Sequence, residues 1–161
     1  MKRKIVIFIM ACTFIFGSFA SKSMAATYSL TNLVGTWYIT LGASEMEENS
    51  SGDRYVGEYT LFFIPIKISS TGVVSSGGTG YAYEEGGTSA IGTIKATGGT
   101  LKISTTTGVV SGTIKTLFIL NSTTYNTTTT MRYGVMNTSK NIISGLMMST
   151  YSIGTFTATK R

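Results

Sequence analysis

Apolar residues recur at every second position along two long stretches of this chain, and no stretch repeats them at helical spacing. Trp37, Ile39 and Leu41 fall on one face of an extended backbone, as do Tyr55, Gly57, Tyr59, Leu61 and Phe63. A period of two over such lengths describes half-buried strands. Composition agrees with it. About a third of residues 27–161 are threonine or serine, glycine is frequent and Pro65 is the only proline, a mixture that favours strands and tight turns.

Further strands are expected at residues 64–69, 73–75, 79–83, 89–96, 101–105, 109–120, 124–133, 142–148 and 152–160. Turn chemistry separates them: Ser70-Thr71-Gly72, Glu85-Gly86-Gly87, Thr97-Gly98-Gly99, Thr106-Thr107-Gly108, Asn121-Ser122 and residues 137–141. Residues 66–77 resemble residues 101–112, each running from an apolar-Lys-Ile-Ser segment through a Thr-Gly turn to Val-Val-Ser. This reads as one hairpin used twice rather than as a solenoid, which stacks at least three repeats. The fold class expected is all-β. Strands joined by short turns dispose of their edges by closing into an up-and-down barrel or by pairing two sheets in a sandwich. The shortness of the connections favours an antiparallel meander barrel of about eight strands.

Residues 1–26 carry a different signature. Met1-Lys2-Arg3-Lys4 is followed by an apolar run from Ile5 to Phe16 and then by small and polar residues ending at Ala25-Ala26, the order of a cleavable secretory signal. The run is shorter than the roughly 20 apolar residues of a membrane-spanning helix, so no stable span is expected once the signal is gone. Cleavage is placed after Ala26, or after Ala25. Residues 27–161 then form a single exported domain, periplasmic or extracellular in a bacterium.

Removing the signal changes the charge balance. Four of the 13 Lys and Arg leave with it and all seven Asp and Glu stay, so the net charge falls from +6 to +2. No block of basic residues remains to neutralise phosphates, which argues against a nucleic-acid partner. Residues 27–161 also contain neither cysteine nor histidine. Disulfides, thiolate nucleophiles, imidazole bases and His/Cys zinc sites are excluded on those grounds. The acidic segment 45–53 matches no calcium-loop spacing. The neighbouring pairs Glu47/Glu48 and Glu84/Glu85 do not give two carboxyls held across a cleft, as glycoside hydrolysis requires. A non-enzymatic protein without metal or cofactor is expected.

Leu33-Val34-Gly35-Thr36-Trp37-Tyr38-Ile39-Thr40-Leu41-Gly42 resembles the Gly-x-Trp opening of the lipocalin and avidin barrels, and Gly154 to Lys160 is similar to an avidin's closing strand. The resemblance implies a calycin-like barrel in which Trp37 plugs one end. It does not extend to biotin. Where avidins place an asparagine and a serine on the ureido group, this chain has Ile39 and Ala43 or Ser44, and Trp37 is its only tryptophan.

Alternation assigns the candidate ligand-contacting residues. With Trp37 inward, Ile39 and Leu41 are inward too; with Tyr59 facing the same lumen, so are Tyr55 and Leu61, and Phe118 stands on a later strand. Tyr55, Tyr59, Leu61, Ile39 and Phe118 are therefore the expected wall of a site for a small apolar or amphipathic molecule, since phenols join an apolar face to a polar tip. The alternatives are a structural or envelope protein without ligand and a small outer-membrane barrel, whose outward apolar band and terminal aromatic are not matched by the Lys160-Arg161 ending.

Overall fold

The computed structural model describes residues 27–48, 50–51, 54–149 and 152–161, and excludes from description the side chains of residues 45–48 and 54–58. The expected signal at residues 1–26 lies outside the described residues. Nine strands follow a four-residue helical turn, α1 (Leu30–Leu33): β1 (Gly35–Glu48), β2 (Arg54–Ile68), β3 (Val74–Ser76), β4 (Gly80–Glu84), β5 (Gly92–Ile103), β6 (Val109–Leu120), β7 (Thr123–Met136), β8 (Ile142–Met148) and β9 (Ser152–Lys160).

All pairings named between these strands are antiparallel, and the sheet order is β1-β9-β8-β7-β6-β5-β4-β2-β3, with β1 also paired to β2. That last pairing closes the sheet, so the fold is an antiparallel eight-strand barrel with β3 as one extra strand, and not a sandwich. Closure leaves no exposed edge in the ring.

Proline accounts for the extra strand. Pro65 sits inside a continuous β2, where its carbonyl accepts a hydrogen bond from the Gly77 N–H at 3.0 Å. It has no N–H to return to that neighbour. The stave beside β2 is interrupted there: β3 ends at Ser76 and β4 begins at Gly80. Two expected boundaries are corrected. Residues 54–63 and 64–69 form one strand rather than two, and Thr97-Gly98-Gly99 is not a turn but an irregularity within β5, where the register with β6 shifts between Ala96 and Gly98. Residues 66–77 and 101–112 are both hairpins, as their similarity suggested, with turns at the same end of the barrel.

The two ends differ. At one, α1 lies under the barrel and Leu33 and Trp37 are wholly buried. The Trp37 indole N–H donates to the Leu33 carbonyl at 2.6 Å, and the Lys160 ammonium donates to the Asn32 carbonyl at 3.0 Å while standing 5.7 Å from the centre of the Trp37 ring. Tyr28 joins this floor through its N–H to the Thr105 carbonyl. Above it the inward side chains of Ile39, Ile66, Leu101, Val110, Ile114, Met131 and Ile143 fill the lumen. The other end, which carries the β1–β2, β4–β5, β6–β7 and β8–β9 connections, is not filled.

Candidate functional site

On β1 and β9 the interior side chains decrease in bulk toward the unfilled end. Along β1 the inward series runs Trp37, Ile39, Leu41, Ala43, and along β9, read toward the same end, it runs Phe156, Gly154, Ser152. The space so released is a cavity of about 540 Å3. This falls in the range of roughly 300–1,000 Å3 used by small-molecule sites.

The cavity has two unlike walls. Leu41 and Ala43 on β1, Phe62 and Ile64 on β2, and Ile94 on β5 make one side apolar. Phe62 meets Phe118 of β6 edge to face at 5.6 Å, and Phe118 lies 6.1 Å from Tyr125 of β7. Phe118 and Tyr125 are direct cross-strand partners, whereas Phe62 and Phe118 come from strands that are not neighbours. Phe62 and Phe118 meet because β4 and β5, which lie between, present the small residues Ala82 and Gly92 beside them. The opposite side is lined with hydroxyl-bearing residues. Thr127 and Thr129 alternate along β7, Thr116 on β6 is the cross-strand partner of Thr127, and Ser149 and Ser152, whose hydroxyls are 2.8 Å apart, close the wall near the mouth. Thr116 is buried although polar. No Lys, Arg, Asp or Glu is among the described residues lining the cavity.

The expected site residues divide. Phe118 lines the cavity. Trp37 points inward and plugs the closed end. Ile39 points inward but is packed in the core beneath the cavity and does not border it. The side chain of Tyr55 lies outside the described residues. Tyr59 and Leu61 are corrected: they stand on the outer face, together with Phe63. Directly opposed residues of paired strands share a face, and Leu41, which is inward, pairs with Phe62, whereas outward Thr40 pairs with Phe63 and outward Gly42 with Leu61. Tyr59 is 39% and Phe63 41% exposed. The Tyr59 ring lies over Gly42, where a Cβ would run into the phenol oxygen.

Sequence reasoning missed most of the cavity. Thr127 and Thr129 sit in a run of four threonines, where no contrast between positions marks which face is inward. Ala43 and Gly154 contribute by being small, a signal visible only once their strands are known to taper into the same opening.

The two placements make opposite predictions. Tyr59→Ala is expected to leave binding of a neutral apolar probe such as Nile red unchanged, whereas Phe118→Ala, which removes an aromatic wall, weakens it by about tenfold. Fluorescence titration of both variants checks this; equal losses would place Tyr59 back in the site.

Compared with protein-family models, with curated proteins and with solved structures, the chain finds no significant match in any of the three.

Proposed function

We propose that this is an exported, non-enzymatic ligand-binding barrel, used in the manner of the lipocalins and avidins, that carries a small apolar or amphipathic molecule in its open-ended cavity. One observation carries the reading: the barrel is plugged at one end by Trp37 and α1 and left with about 540 Å3 of space at the other. A closed eight-strand barrel has room to be filled completely by its own side chains or to hold one small ligand, and here the filling stops at Leu41.

The wall chemistry suits binding rather than catalysis. Among the described lining residues the polar groups are hydroxyls, with no imidazole, carboxylate or amine beside them to act as a general base. The distribution of polarity also speaks against an outer-membrane barrel. Such barrels turn an apolar band outward and keep a polar interior, whereas this lumen is packed with Ile, Leu, Val and Met, and the outer faces of β5, β6 and β7 expose Lys95, Lys102, Lys115 and Arg132.

A second reading has one observation in its favour. On the outside of β2 and β4, Tyr59, Leu61, Phe63, Tyr81 and Tyr83 form a largely aromatic apolar patch, as a surface protein that assembles with envelope components would require.

Native mass spectrometry of protein purified from its own cell envelope separates the two. The expected result is a polypeptide lacking residues 1–26 that carries a discrete added mass. Ala43→Phe, which fills the mouth of the cavity, is expected to reduce the occupied fraction several-fold without unfolding the barrel. Bare protein, with no thermal shift across a panel of neutral lipids, would overturn the ligand reading and leave the surface-protein one.

A further inference from the structure

Charge is segregated along the barrel axis. The acidic positions among the described residues lie toward the open end: Glu45, Glu47 and Glu48 in the last residues of β1, Glu58 in the first part of β2, Glu84 at the end of β4 and Glu85 just beyond it. Arg54, the first residue of β2, is the one basic position at that end among the described residues. Lys67, Lys102, Lys140, Lys160 and Arg161 lie toward the closed end, and Lys95, Lys115 and Arg132 around the middle of the outer face.

From this polarity, together with the uncharged cavity lining, and resting on the ligand-binding reading above, we propose that the site selects amphiphiles whose head group carries no negative charge. It takes neutral or cationic ones and turns away anionic ones such as long-chain carboxylates. Two effects act in the same direction. A carboxylate brought into the cavity is stripped of water where the described lining residues offer hydroxyls but no cation, so its ionised form is disfavoured. A carboxylate held at the mouth instead meets a rim with an excess of negative charge, a repulsion felt within a Debye length of about 8 Å at physiological salt. Neither penalty applies to a glycerol or ammonium head. The hydroxyl wall of Thr116, Thr127 and Thr129 offers both donors and acceptors to a neutral polyol.

Calorimetric titration with three probes sharing a dodecyl-length chain tests this: monododecanoylglycerol, dodecyltrimethylammonium and dodecanoate, each below its micellar concentration. At low salt and about pH 8, where dodecanoate is ionised, the first two are expected to bind at least tenfold more tightly than dodecanoate. Dodecanoate should gain affinity as the pH is lowered toward its own pKa. Raising the salt should weaken the ammonium probe and leave the glycerol probe unchanged. Glu84→Gln with Glu85→Gln, both exposed positions, should improve dodecanoate binding a few-fold. If dodecanoate matches the other two, the selectivity is overturned while the ligand reading stands. If none of the three binds, the ligand reading itself falls and takes the selectivity with it.

Discussion

Trp37→Ala is expected to lower the free energy of unfolding by about 3–5 kcal/mol, the usual cost of emptying a large buried aromatic site. Trp37 is wholly buried, with the Lys160 ammonium over its ring and its indole N–H on the Leu33 carbonyl. Its loss also takes away the N–H that satisfies the Leu33 carbonyl, and a buried acceptor left without a partner costs about 1–3 kcal/mol. Trp37→Phe isolates that second contribution, because most of the apolar area stays and only the donor goes. The loss is large against the roughly 5–15 kcal/mol by which domains are stable. Urea denaturation reads it as a shift of the midpoint at unchanged slope. A midpoint unaffected by Trp37→Ala would mean that the closed end is held by something other than this residue.

The same residue shows what could be read from the chain alone. Trp37, Ile39 and Leu41 alternate with Tyr38, Thr40 and Gly42, so polarity and size both mark the inward face of β1, and the structure agrees. The other strands were marked by β-favouring composition between Thr- and Gly-rich turns, and closure into a barrel by the shortness of the connections. β2 gives no such contrast. Leu61, Phe62, Phe63 and Ile64 are apolar in succession, so either face could be inward, and a slip of one residue exchanges the two faces completely. The pairing with β1 decides the phase. It puts Phe62 in the lumen and sends Tyr59, Leu61 and Phe63 outside. The helical turn α1 was invisible for a different reason: four residues are too few to show a period of 3.6.

The candidate site was harder to foresee than the fold because it is defined by what is absent from the lumen. A wall of Thr116, Thr127 and Thr129 facing Leu41, Ala43 and Ile94 draws on four strands, β1, β5, β6 and β7, whose places in the sheet must be known before any of those positions acquires a meaning. The charge polarity, by contrast, was present in the sequence. The acidic residues cluster in two short segments, and only the topology places both segments at the same end.

Gly112→Ala and Gly99→Ala are expected to be among the most damaging changes that add a single methyl group. The two glycines flank the Thr100–Thr113 pair of the β5–β6 ladder, Gly112 opposite Leu101 and Gly99 opposite Ile114. Both have positive φ, +143° and +122°, where L side chains are strained by about 1–3 kcal/mol. The space is closed as well. A Cβ on Gly112 would run into the Thr100 carbonyl oxygen, and one on Gly99 into the Thr113 carbonyl oxygen. Backbone atoms cannot rotate out of the way as a side chain would, so the strands themselves must separate. Barrels use such glycines to bring neighbouring strands close where the sheet coils, and the register between β6 and β7 shifts beside Gly112. Since both substitutions open the same ladder, the double variant should lose less stability than the two single losses added together. Gly98 is the control: its nearest neighbour would be the Lys115 side chain at 4.0 Å, and its φ is not in the positive range. Gly98→Ala should therefore stay within about 0.5 kcal/mol of the parent, although it is adjacent to Gly99 in the chain. Thermal unfolding of the four variants distinguishes this from a general intolerance of the segment, because equal losses at Gly98 and Gly99 would show that neither the positive φ nor the carbonyl contact sets the cost.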